Sequence, residues 1–171
     1  MSAAYYDFYA EEGTVFVAKL NIVDKLGNQV SFNTLGTGSN ISIPVELEAL
    51  GMRYVYSVAG KMQVRNSINT TSSLVLEFKS DSSVPSSLGS GLIDLKAAGQ
   101  YDHNIVLSAK IPGVTATTTL RGTYLYDLQL TYTAGTCIPS PTSLCPAETI
   151  QTFDIKILQG RFIIVPEITQ G

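Results

Sequence analysis

Residues 53–65 read RYVYSVAGKMQVR, and the fold class turns on them. Tyr54, Tyr56 and Val58 occupy alternate positions, Gly60 interrupts, and Met62 and Val64 resume the alternation. A period of two sets these side chains on one face of a strand, whereas a helix would bring apolar residues round every third or fourth position. Gly60 is the expected site of a bulge or bend, because glycine inside a strand pattern weakens or kinks it. The same period recurs on either side. Residues 73–79, SLVLEFK, put Leu74, Leu76 and Phe78 on one face. Residues 14–23, TVFVAKLNIV, alternate Val15 and Val17 and, after a slip, Leu20 and Ile22. The turn residues of 24–28, DKLGN, then lead into Gln29-Val30-Ser31-Phe32, so the two halves are expected to form a hairpin. Residues 92–95, 105–109, 123–132, 152–158 and 161–165 bring the total to nine or ten strand candidates. Helix signals are confined to residues 44–51, with Pro44 in front, helix formers inside and Gly51 behind, enough for one or two turns.

Short alternating strands separated by polar turns must pair and bury one face, which predicts an all-β fold, an antiparallel β-sandwich or small barrel. A length of 171 residues fits one domain. The expected organisation is an N-terminal arm over residues 1–12 and a single domain over 13–171, with loop insertions near 33–51, 80–91 and 134–148. Charged residues make up 15% of the chain and hydrophobic ones 44%, enough apolar surface to offset the entropy of ordering. The net charge of −3 carries no basic footprint for a phosphate backbone, so nucleic acid is not an expected partner. No run approaches 18 apolar residues, so no membrane partner is expected. Asp7, Glu11 and Glu12 stand where a secretory signal would carry basic and then apolar residues, so the chain is expected to be made in the cytosol and to stay soluble.

The residues offer little chemistry. His103 is the one imidazole, too few for a histidine metal site, and Cys137 and Cys145 make no CxxC pair. No GxSxG elbow accompanies His103, and Tyr101-Asp102-His103-Asn104 reads as the polar approach to a strand. Asp94, Asp102, Asp127 and Asp154 are scattered over different strand candidates. Gly89-Ser90-Gly91 is followed by neither a helix nor a lysine, so it is no phosphate cradle. The expectation is a non-enzyme with no cofactor and no metal. Cys137 and Cys145 bracket a Pro-stiffened loop short enough for a disulfide to close in an oxidising medium, whereas in the cytosol they stay reduced.

Tyrosine carries more information, with nine copies and no tryptophan. An apolar ring with a polar tip suits interfaces, which makes Tyr5, Tyr6, Phe8 and Tyr9 in the arm, and Tyr54 and Tyr56 in the central strand, the candidate interface residues. The competing readings are ordinary strand packing and a stacking platform for sugars.

The motif order adds a resemblance. Residues 7–16, DFYAEEGTVF, open the chain; the turn with Asp24 and Gly27-Asn28 follows, then Lys61-Met62-Gln63-Val64-Arg65, residues 122–130, GTYLYDLQL, and residues 158–169, LQGRFIIVPEIT. In this order the chain resembles tailed-phage virion proteins whose N-terminal module is like that of the upper baseplate proteins. The resemblance implies an Ig-like β-sandwich in a phage tail, baseplate or fibre-attachment site, without catalysis, docking other virion proteins and copies of itself. It also implies a virion location after assembly in the host cytoplasm. Two departures are the longer link over residues 33–58 and the Pro-rich insertion over 135–148. The chain stops six residues after Val165, where the family commonly continues into receptor-binding or fibre sequence, so a connector role is favoured over contact with a host receptor. The alternative function is a receptor- or carbohydrate-binding β-sandwich module on the virion.

Overall fold

Alternating apolar residues bury one face only by pairing with strands that do the same. In the computed structural model, which describes residues 3–33, 41–66, 74–80, 90–114, 119–136 and 150–167, they do so in one curled sheet. The elements are β1 (Ala4–Tyr5), β2 (Phe8–Glu11), β3 (Val15–Leu20), helix α1 (Val45–Ala49), β4 (Tyr54–Arg65), β5 (Leu74–Lys79), β6 (Ser90–Leu95), β7 (Ile105–Lys110), β8 (Gly122–Gly135) and β9 (Gln151–Val165). The strand order is β1-β9-β8-β4-β5-β6-β7-β3, with β2 also pairing β9. The fold is all-β, as the alternation predicts.

The curl is visible in the core. Phe16 on β3, at one end of the strand path, lies 5.1 Å from Phe162 on β9, near the other end, and 6.1 Å from Phe78 on β5. Met62, Val64, Leu76, Leu107, Leu128 and Leu130 fill the space around these rings and are fully buried. The chain itself bridges the two ends. Glu12 N–H bonds to the Val165 carbonyl at the end of β9, and the next residue, Gly13, donates to the Ile111 carbonyl just past β7. Gly13 sits at φ +75°, a left-handed conformation that favours glycine, and the strand path changes edge there within two residues.

Several expectations need correction. Residues 4–11 are not a free arm: β1 and β2 lie parallel to β9 inside the sheet, with Phe8 paired to Phe162 and Ala10 to Ile164. Residues 152–158 and 161–165 are not two strands but parts of the continuous β9. Gly60 carries no bulge. It lies under Ile93 of β6, where a Cβ would sit 3.2 Å from the Ile93 side chain, and the irregularities of β4 fall between Val55 and Ser57 and between Val64 and Arg65 instead. The turn at Asp24 forms, with the Asp24 carboxylate accepting from Leu26 and Asn28 N–H, but the hairpin beyond it is a single bridge between Val23 and Gln29. The fully buried Asn104 takes the place of further pairing. Its side chain accepts from Ile22 N–H and donates to the Ile22 and Val30 carbonyls, each at 2.8 Å.

The short helix meets expectation. Pro44 is its N-cap, and Gly51 at φ +87° ends it with paired bonds, Met52 N–H to Leu47 and Gly51 N–H to Glu48, the Schellman arrangement. Of the insertion over 33–51, residues 34–40 lie outside the described residues, as do 81–89 and 137–148 of the other two.

Candidate functional site

The N-terminal strands carry the clearest concentration of exposed aromatic surface. Alternation in β1 and β2 turns Phe8, Ala10 and then Glu12 inward, at 4%, 5% and 1% exposure, and leaves Tyr5 and Tyr9 outward at 64% each. Between the two strands the backbone breaks at Tyr6-Asp7, and the Tyr6 ring, 54% exposed, leans edge-on against Phe8 at 5.1 Å. Tyr5, Tyr6 and Tyr9 thus form an aromatic rim on a strand that is anchored from beneath.

The anchors are specific. Tyr6 N–H donates to the Gln159 carbonyl at 3.0 Å, and the Tyr126 hydroxyl donates to the Tyr6 carbonyl at 2.6 Å. The Tyr6 carbonyl lies directly over Gly160, in space that any Cβ at that position would occupy. At the break, the Asp7 carboxylate stands in for a backbone carbonyl: it accepts from the Arg161 backbone N–H and from Arg161 Nε, each at 3.0 Å, and from a second guanidinium nitrogen. The Arg161 guanidinium hydrogen-bonded to it holds the Asp7 carboxyl below the usual aspartate range. Phe8 then enters a pocket of rings, 5.0 Å from Tyr126, 5.7 Å from Phe16 and 6.2 Å from Phe162.

Glu12 closes the site at the corner leading to β3. Its buried carboxylate accepts from Thr119 Oγ1 at 2.8 Å and Arg121 Nε at 2.6 Å. Burial pushes this carboxyl up, but the Arg121 and Thr119 donors outweigh it and hold the group below the usual glutamate range. A buried carboxylate so paired fixes the corner geometrically.

The remaining sequence candidates fall elsewhere. Phe8 belongs to the core and is not part of the exposed surface of the folded chain, a correction that follows from its inward phase on β2. Tyr54 and Tyr56 are half-buried on β4, and the bulge between Val55 and Ser57 interrupts their alternation. Cys137 and Cys145 lie outside the described residues. His103 Nδ1 faces Asp102 at 2.7 Å, and its ring stacks on Tyr101 at 5.3 Å. The scattered acids each have a partner: Asp94 with Lys96, Asp127 with Lys156 and Asp154 with Thr131. Among the described residues no three His, Cys, Asp or Glu side chains cluster as metal ligands, and no helix is long and apolar enough to cross a membrane.

Sequence reading missed Gly160, Arg161, Glu12 and Asn104. A signal existed for three of them. Leu158, Gly160, Phe162 and Ile164 share one phase, which argues for an unbroken strand through Gly160, with Arg161 on its other face. Glu12 continues the inward phase of Phe8 and Ala10. Nothing in the local sequence marks Asn104 as buried. No protein-family model matches the chain, and no curated protein matches it.

Proposed function

We propose that the protein is a non-catalytic structural subunit that docks neighbouring proteins through the tyrosine rim of its N-terminal edge. The observation that carries this reading is the exposure of Tyr5, Tyr6 and Tyr9 along a segment held to β9, with Phe8 in the core and Asp7 clamped by Arg161. Large amphipathic rings on a rigid backbone lose little conformational entropy on contact, which is what a docking surface requires. The two ends of the strand path add to it. The sheet path ends at β1 and β3 among the described residues, and Val15 and Val17 on β3 are also exposed, at 67% and 54%. Unpaired edges with apolar side chains invite pairing with another chain. The resemblance of its motif order to that of tailed-phage tail and baseplate proteins favours a virion as the assembly, an Ig-like sandwich as its architecture and a connector between tail or fibre components as its place.

The test is solution mass by light scattering across a concentration series, comparing wild type with the Tyr5→Ser/Tyr6→Ser/Tyr9→Ser variant. The expected result is assembly above 18.4 kDa in the wild type that the variant loses while keeping its melting temperature. Indistinguishable masses at every concentration would count against docking between copies through this rim. Binding on a glycan array that the same variant loses would favour the alternative, a carbohydrate-binding module.

A further inference from the structure

The anchors of β1 and β2 form a socket, and we infer that this socket also accepts residues 4–11 of a second copy, so that neighbouring subunits exchange N-terminal strands. Every seat lies on the β8–β9 pair or in the core beneath it. Gly160 leaves room for the Tyr6 carbonyl, Tyr126 and Gln159 hydrogen-bond its backbone, Arg161 clamps Asp7, and Tyr126, Phe16 and Phe162 surround Phe8. Among the described residues β9 is the only strand that β1 and β2 pair with. The inserted segment runs into β3 through the corner at Glu12-Gly13-Thr14. The socket therefore presents the same contacts to a Tyr6-Asp7-Phe8 segment arriving from its own chain or from another copy.

Exchange of identical elements replaces each contact by its equal, so it needs little driving force beyond proximity. In dilute solution the tether favours the chain's own strand, because a short linker holds it at an effective concentration of about a millimolar. In a crowded ring or stack of subunits the local concentration reaches the same range, and the outward tyrosines of the exchanged strand lie at the new contact. The inference stands on the sheet geometry and not on which assembly the protein joins.

The Asp7–Arg161 clamp supplies the test. In the Asp7→Arg variant the inserted residue and its clamp are both positive; in the Arg161→Asp variant both are negative. Each variant repels its own strand and that of an identical copy. When the two are mixed, reciprocal exchange seats the positive strand of the first variant in the negative socket of the second. The other socket regains the native pairing of Asp7 with Arg161, so both hold opposite charges. The expected result is that the mixture shifts to twice 18.4 kDa while each variant alone does not. A mixture that stays at 18.4 kDa would overturn the inference, provided that the Asp7→Arg/Arg161→Asp double variant melts like wild type, which establishes that the reversed clamp docks.

If either single variant fails to fold, or the double variant melts low, a fluorescent peptide of residues 2–13 at millimolar concentration is offered to the wild-type chain. Slow capture, read as rising anisotropy and weakened when the peptide carries Asp7→Arg, is expected. No rise over days would overturn exchange.

Discussion

Replacing Phe8 with alanine tests whether the N-terminal strand is part of the core or only rests on the surface. Phe8 is 4% exposed and lies 5.0–6.2 Å from the rings of Tyr6, Phe16, Tyr126 and Phe162, so its removal takes away one member of a cluster that joins β2, β3, β8 and β9. Truncating a buried phenylalanine typically costs about 3–5 kcal/mol in lost transfer free energy and cavity. A domain of this size loses roughly 2–4 °C of melting temperature per kcal/mol, which converts the cost to about 6–20 °C. Tyr9 on the same strand is 64% exposed, and its replacement by alanine is expected to stay within about 0.5 kcal/mol, or roughly 1–2 °C. The assay is thermal unfolding by circular dichroism on the two variants and wild type, with reversibility checked by cooling. Equal shifts for Phe8→Ala and Tyr9→Ala, or a Phe8→Ala shift below about 2 °C, would refute the placement of β2 in the core.

Other expectations follow from the same anchors. Gly160→Ala puts a Cβ where the Tyr6 carbonyl sits, so the hydrogen bonds from Tyr126 and to Gln159 are lost together; at about 1 kcal/mol each the cost is about 2 kcal/mol, and fast amide exchange confined to residues 4–11 is the readout. Asn104→Leu leaves Ile22 N–H and the Val30 carbonyl without their partner and takes one of two donors from the Ile22 carbonyl, which keeps Val30 N–H, so a loss of about 2–3 kcal/mol is expected, with exchange rising over residues 21–32. Asp7 and Glu12 both have folded-state values below their ordinary ones, so the stability they contribute is complete above the unfolded values and is lost as pH falls through the folded ones. Melting temperature should therefore fall below about pH 4.5, with a share from the other carboxyls held low, and Arg161→Gln should shrink the Asp7 share, since the backbone N–H at 161 still donates to Asp7, while leaving the Glu12 share.

The strands were legible wherever one face alternates over several residues. Leu74, Leu76 and Phe78 mark β5, and Met62 with Val64 mark the half of β4 that pairs with it. Legibility ended where a partner is remote. β2 is four residues long, and its parallel partner β9 lies about 150 residues away, so local pattern alone left residues 4–11 looking like an arm. Glycine was misleading for a related reason. Gly60 and Gly160 resemble breaks in a local reading, yet each stands inside a continuous strand where another element comes close: the Ile93 side chain over one and the Tyr6 backbone over the other. Of the candidate site, the presence of aromatic residues near the N-terminus was legible, but the division between Phe8 inside and Tyr5, Tyr6 and Tyr9 outside depends on the phase set by pairing with β9. Asn104 shows the limit most plainly, since its burial is created by the convergence of Ile22 and Val30, which no neighbouring residue announces.

The most direct test of the central claim is tyrosine nitration read by mass spectrometry, on dilute protein and on protein concentrated until light scattering reports assembly. Tyr126 and Tyr132, buried in the core at 4% and 3% exposure, should resist in both states and serve as internal controls. The account predicts that Tyr5, Tyr6 and Tyr9 react readily when dilute and become protected on assembly. Assembled protein in which these three tyrosines react at the dilute rate would contradict it.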